Sequence, residues 1–326
     1  MQTGAELEHG EIDKTITYGR IYLFLVHIKM KKLLGILVLG LLLSNNVEAE
    51  KKVKFSKDLA LGLNKSAVSS VSHKKNYSFE KVKAADGHPV RSGEESMRFE
   101  VRPGDCGISK GGYDDCKNDA ERSELHNGQM DWGSGGGEFW YAWSIYFPKE
   151  HKHFNGKGWI VVSQFHQDHD KDSFPTFMFW DHTGGYWMII HKKMGNPNNL
   201  PSRDSGSKFN AKQLLTEKEI LGKWNDFIVH VKWSDKEDKG FFKIWVNGEL
   251  KLKHIGKTKM KGTKPYWKWG LYRGGFKEDY ISKALYTTQV IYYDELRQAK
   301  KTCKKLSLEH IGYKCVNGND IQKLKK

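Results

Sequence analysis

The sequence predicts an all-β domain, a β-jelly roll of two antiparallel sheets packed as a sandwich, and three observations lead to it. Trp, Tyr and Phe make up 13% of the chain and gather in segments of strand length. Glycine-rich and Asn-Gly turn signals separate those segments. Helical periodicity is almost absent, and neither a βαβ rhythm nor a repeat of roughly 20–50 residues is visible.

Taken in order, the strand-like segments are Glu138–Phe147 (EFWYAWSIYF), Gly158–His166 (GWIVVSQFH), Thr176–Trp180, Tyr186–Lys192, Trp224–Trp233, Phe241–Val246 and Tyr266–Tyr272. Aromatic and β-branched side chains suit a pleated, half-buried surface. Gly133–Gly137, the Gly184-Gly185 pair and Asn247-Gly248 interrupt them. The last follows KIWV and precedes ELKLK, and an Asn-Gly pair adopts the two left-handed residues of a tight hairpin. A short helix or turn is expected around Ala211–Leu221. Many short strands within one domain's length assemble as a sandwich or jelly roll.

The ends read differently. Residues 30–49, MKKLLGILVLGLLLSNNVEA, have the build of a bacterial secretory signal: two lysines, an apolar run from Leu33 to Leu43, and small residues before a cut at Glu50. The run is too short for a permanent span, which needs about 20 residues, so no stable membrane insertion is expected. Residues 1–29 read as an over-extended start. Residues 50–76 are expected as a loosely ordered lead-in, 77–297 as the jelly-roll domain, and 298–326 as a basic tail. The expected product is exported, to the periplasm or beyond, and monomeric.

Residues 1–49 hold equal numbers of acidic and basic side chains, so the net charge of +15 belongs to the mature chain. Such an excess attracts polyanions, and export argues for an acidic polysaccharide over nucleic acid. The four cysteines fall in the exported part as close pairs, Cys106 with Cys116 and Cys303 with Cys315. An even count in an oxidising compartment suggests two local disulfides, and no Cys-x-x-Cys or Cys/His spacing supports zinc there.

Alternate residues of a strand share a face. In ERSELHN, Arg122, Glu124 and His126 point together; in VVSQFH, Gln164 and His166 do; in YWKWGLY, Tyr266, Lys268 and Tyr272 oppose Trp267, Trp269 and Leu271. A sandwich would bury the apolar face and leave the polar one lining a groove. This polar set suits a negatively charged sugar. Elimination at a uronate needs donors that neutralise the carboxylate, a base for the C5 proton and an acid for the departing O4. Taken singly, each segment reads as readily as a solvated sheet face, with Arg122 and Glu124 a plain ion pair worth under about 1 kcal/mol.

RSELHN at 122–127, SQFH at 163–166 and YWKWGLYR at 266–273 resemble, in order and approximate spacing, the jelly-roll polysaccharide lyases. These are the heparin lyase I-like and glucuronan lyase families and, more distantly, the alginate lyases. The late segments WNDFIVHVKWS and GFFKIWVNGEL look like paired strands of concanavalin A-like sandwiches. The resemblance covers roughly Arg98 to Arg297. It implies that Tyr272 is the general acid, and also the base on one C5 epimer. It implies that Gln164 and Arg122 bind and neutralise the uronate carboxylate, that His166 is a base or a further neutraliser of it, and that His126 stands where glucuronan lyases place a catalytic histidine, which leaves the base open among His126, His166 and Tyr272. Lys268, Tyr266, Glu124 and Arg273 are the implied substrate contacts. His126 stands where alginate lyases carry Arg, which pulls the reading towards glucuronan- or heparin-like substrates.

No cofactor is required on this reading. Some relatives hold a structural Ca²⁺ away from the groove, and Asp294 in YYDELR is the candidate ligand. The run Asp168, Asp170, Asp172 lacks the glycine and glutamate of an EF-hand and reads as a solvated loop. Two other functions fit the same fold. A glycoside hydrolase would need two carboxylates about 5–9.5 Å apart, and the polar set holds only Glu124. A non-catalytic carbohydrate-binding module would not need the Gln-x-His and Tyr-x-Lys sets together.

Overall fold

A computed structural model describes residues 52–63, 67–69, 75–109, 112–127, 137–153, 158–168, 174–195, 200–202, 207–275 and 287–325. The expected signal at 30–49, the residues before it, and Asp170 and Asp172 lie outside them. Among the described residues no helix is long and apolar enough to cross a membrane.

Two sheets face one another. The first runs in the order β1 (Lys52–Val53), β3 (Ala67–Ser69), β6 (Ala120–Asn127), β15 (Lys264–Gly274), β8 (Trp159–Asp168), β9 (Phe177–His182), β10 (Gly185–His191), β11 (Phe209–Thr216). The second runs β14 (Glu249–Ile255), β13 (Phe241–Val246), β12 (Trp224–Trp233), β7 (Gly137–Tyr146), β16 (Gln289–Lys300), β5 (Glu95–Val101), β4 (Phe79–Lys83). Pairing within them is antiparallel; β2 (Ala60–Leu61) adds a short parallel pair to β16. From β5 to β8 the chain changes sheet at every strand, so β6 lies beside β15 and β7 beside β16. This is the jelly roll that the sequence predicts.

Alternation builds the core. Phe139, Tyr141, Trp143 and Ile145 of β7 face Phe165, Phe179, Trp267 and Trp269 of the first sheet across the interior. Trp143 stacks on Phe227 at 5.4 Å and 7°, and Trp267 Nε1 donates to Ser163 Oγ at 2.9 Å. Each such side chain contributes about 1.5–3 kcal/mol by leaving water. The Asn247-Gly248 turn forms as predicted, with both residues left-handed (φ 52° and 87°) between β13 and β14.

Two expectations change, and the tail acquires a structure. Ala211–Leu221 is mainly strand, because β11 pairs along β10; only Glu217–Ile220 makes a helical turn, α1. The Glu219 carboxylate caps it, accepting from the Thr216 N–H and hydroxyl at 2.7 Å each. The expected loose lead-in contributes β1, β2 and β3 to the sheet edges and buries Leu59 in the core. The tail forms a hairpin, β17 (Tyr313–Val316) and β18 (Asp320–Lys323), beneath which Leu306, Leu308 and Ile321 cover Trp140, Ile228 and Trp245 on the outer face of the second sheet. Both predicted disulfides are present, Cys106–Cys116 and Cys303–Cys315, with Cα separations of 5.1 and 5.5 Å.

Candidate active site

The outer face of the first sheet carries the candidate site, built on three neighbouring strands: β6, β15 and β8. Their register sets Arg122 opposite Tyr272, Glu124 opposite Gly270, and Lys268 between His126 and Gln164; Tyr266 lies opposite His166. A bulge of β8 at Val162–Ser163 turns both of those residues inward. Parity is thereby reset, and Gln164 and His166 return to the outer face. Gly270 is required in the middle of β15. Its φ is +124°, and a Cβ there would stand 2.3 Å from the Ser123 carbonyl oxygen and 2.9 Å from Glu124 Cα. Only glycine lets β15 approach β6 closely enough for the two polar rows to interlock.

The residues form one row. At one end, the Arg122 guanidinium lies 3.7 Å from the centre of the Tyr272 ring, and the Trp159 ring packs on it at 4.4 Å. In the middle, Lys268 Nζ is 2.5 Å from Glu124 Oε2, and Gln164 Nε2 donates to Glu124 Oε1. At the far end, the Tyr266 ring stands between His126 and His166, with centroids 5.8 and 5.4 Å away.

Two further residues complete it, both from the loop closed by Cys106–Cys116. Asp115 is fully buried and holds Arg122 with both oxygens: Nε donates to Oδ2 at 2.7 Å and Nη2 to Oδ1 at 2.6 Å. Nη1 donates to Glu124 at 3.3 Å. Tyr113 sets its ring 5.8 Å from the Arg122 guanidinium, helps to raise the Tyr272 phenol, and is itself exposed. Sequence reading missed both. Their signal was the Asp115-Cys116 pair just ahead of β6: a short disulfide loop must sit near the start of the strand it leads into.

The electrostatics follow from burial and pairing. Burial draws the Arg122 guanidinium down, but Asp115 and Glu124 outweigh it and hold it above its ordinary value. Burial pushes the Glu124 carboxyl up, yet Lys268 and Arg122 outweigh it and hold it below the usual range. Burial draws Lys268 down against the pull of Glu124. Burial pushes the Tyr272 phenol well above its ordinary value, although Arg122 opposes it. Burial and then the Lys268 ammonium bring His166 down to about 4, with its Nδ1 2.9 Å from the Gln167 backbone. At neutral pH this places a protonated phenol at one end of the row and a neutral imidazole at the other.

Two expected substrate contacts are placed otherwise. Arg273 lies on the opposite face of β15, 1% exposed, bonded to Glu121 at 2.9 Å and to the Thr287 carbonyl at 2.6 Å. Its position next to Tyr272 in sequence is what sends it inward, since neighbours in a strand point to opposite faces. Glu124 lies in the row but is buried under the donors that it organises; a carboxylate would also repel a uronate. Asp294 is buried, its oxygens accepting from the backbone N–H groups of Arg91, Ser92 and Glu295. It belongs to none of the three-residue metal-type clusters among the described residues.

Residues 63–297 match the family model described as polysaccharide lyase. No curated protein sequence matches the chain. Among solved structures, the endo-β-1,4-glucuronan lyase of the fungus Trichoderma reesei superposes with a TM-score of 0.51 at 14% identity, covering 78% of this chain and 95% of that one. The alginate lyase PA1167 of Pseudomonas aeruginosa gives 0.42 at 15%, covering 70% and 87%. The first of these likenesses, above a TM-score of 0.5, bears on the fold alone. The family match spans most of the sequence: the chain belongs to the polysaccharide lyase family and is a lyase that acts on a polysaccharide.

Proposed function

We propose that this lyase cleaves an acidic, uronate-containing glycan by β-elimination, with glucuronan- and heparin-like polymers ahead of alginate. The observation that supports this most is the row itself, in which charged donors, a protonated phenol and two imidazoles from distant parts of the chain share one sheet face. Arg122, Gln164 and Lys268 each have Glu124 as a partner, which gathers two cations and an amide donor at one place on that face. A uronate carboxylate settling on them would lose charge and make its C5 proton removable. The C5–H electrons form the C4–C5 double bond, the C4–O4 bond breaks, and Tyr272 protonates the leaving oxygen. An imidazole, His166 or His126, takes the C5 proton. The basic mature chain would gather the polyanion, and the two disulfides favour a place outside the cytoplasm.

The test is incubation of the chain lacking residues 1–49 with glucuronan, heparin, heparan sulfate and alginates. Ultraviolet absorbance of a 4,5-unsaturated uronate, formed together with new reducing ends, is the expected result. Reducing ends without that chromophore would identify a hydrolase, and binding without cleavage a carbohydrate-binding module. Acid and base must act on one sugar, so variants of His126 and His166, assayed with Tyr272→Phe and Tyr266→Phe, locate the reacting centre along the row.

A further inference from the structure

On the core side of the first sheet, opposite the outer-face row, lies a second chemical cluster. Asp181 is the fifth residue of β9. Phe177 and Phe179 of that strand face the core while Trp180 faces outward, so Asp181 points between the sheets. His151 and His153 come from the segment after β7, which turns at Pro148, where the His151 N–H donates to the Pro148 carbonyl at 3.0 Å. His151 Nε2 lies 2.6 Å from Asp181 Oδ2, and His153 Nδ1 contacts Oδ1. The three side chains are 2%, 4% and 0% exposed, and Phe147 packs on His151 at 4.7 Å.

Two features separate this cluster from an ordinary buried ion pair. Among the described residues no lysine or arginine pairs with Asp181, so a fully buried carboxylate is compensated by imidazoles alone. A buried charge without a full counter-charge is costly. His153 Nε2 is buried with no hydrogen-bond partner among the described residues, as are His230 Nδ1 and His254 Nδ1, but neither of those histidines belongs to a group of three ligand side chains there. One potential ligand atom from each side chain lies within 4.8 Å of the others. Around a tetrahedral zinc, such atoms stand about 3.4 Å apart, a distance reached by small rotations of two imidazoles on a loop.

We propose that His151, His153 and Asp181 form a binding site for a divalent transition metal of the zinc type, which clamps the segment after β7 to β9. Imidazole nitrogen selects zinc-like ions over calcium and magnesium, which prefer all-oxygen sites. Three protein ligands leave one tetrahedral position for water. The site lies on the core side of β9, away from Tyr272, so its role is to fix structure.

The experiment uses the untagged chain lacking residues 1–49, stripped with a chelator and desalted. After incubation with zinc chloride and renewed desalting, elemental analysis should find one zinc per chain, and the thermal midpoint should rise by several degrees. Cobalt should give the visible bands of a tetrahedral nitrogen and oxygen field. Asp181→Asn and His153→Ala should each lose metal retention and the thermal response, with circular dichroism reporting that each variant is folded. His310→Ala, at an exposed imidazole, should keep both responses. The proposal is overturned if the wild-type chain retains no zinc and melts unchanged, or if the folded variants retain zinc as the wild type does. Elimination on the polymer is scored separately, so a lyase without zinc, or a zinc protein without lyase activity, is told apart.

Discussion

The two disulfide loops are nearly the same size and do different work. Cys106–Cys116 closes a loop over a separation of 10 residues and Cys303–Cys315 one of 12, so chain entropy assigns each about 3 kcal/mol. The first loop delivers Asp115 to Arg122 and Tyr113 to Tyr272 on the groove face of the first sheet. The second fastens a hairpin beyond the family match over Trp140 and Trp245, on the outer face of the other sheet. Both outer faces emerge from the same strand alternation. One is kept for polar chemistry and the other is sealed with apolar side chains, and the nature of the side chains each loop carries decides which.

The sharpest way to break this contrast begins at the groove. Tyr272→Phe should lower kcat by roughly 10²- to 10⁴-fold, the usual range for a general acid, while retention on immobilised polymer is kept. Tyr266→Phe should cost less than about tenfold. The reverse order in steady-state assays would move the acid to the histidine end of the row.

Asp115→Asn removes the charge that fixes Arg122 while keeping its shape. A loss of about 10- to 100-fold in kcat/KM is expected, the equivalent of about 1.4–2.8 kcal/mol in the transition state. The disulfides come next. Cys106→Ser with Cys116→Ser should reduce turnover about tenfold, or 1.4 kcal/mol, because Asp115 and Tyr113 lose their anchor. Cys303→Ser with Cys315→Ser should cost roughly 2–4 kcal/mol in urea unfolding with kcat unchanged. Equal effects of the two pairs on turnover would erase the distinction between the loops.

The smallest expected effect is on pH. His166 is held at about 4 in the folded chain against an ordinary 6.5. The folded state therefore resists a proton that the unfolded chain accepts. Stability from this group is complete above about pH 6.5 and is lost as pH falls towards 4. His191 is depressed to about 4 as well and adds to the same window. His166→Asn should flatten part of the acid decline in thermal midpoint. An unchanged slope would place that decline elsewhere, at His191 or beyond.

Much of the groove was legible because a strand has period two. QFH and YWKWGLY announce which side chains share a face as soon as they are read as strands, and the aromatic residues between them announce the core. Asp115 was legible only as a residue close to the start of β6; its role depends on a disulfide loop folding back over a strand that begins five residues later. Arg273 was misread because a motif's edge was taken for part of its face. Ala211–Leu221 was misread because Leu214 and Leu215 look helical until β10 offers them a sheet to pair with. Glu124 was placed in the right row, but its burial beneath Arg122, Gln164 and Lys268 is a product of packing.

By itself the sequence determined the all-β sandwich, the Asn-Gly hairpin, the two cysteine pairs and the polar faces of β6, β8 and β15. All of these are local, written in alternation, turn chemistry and short spacings. Only the tertiary structure decided the order β6–β15–β8, the closing of Asp115 over Arg122, the covering of the second sheet by the tail, and the meeting of His151, His153 and Asp181. Those contacts join residues that are neighbours only after the chain has crossed between sheets, and a pattern of period two carries no information about which strand will lie alongside.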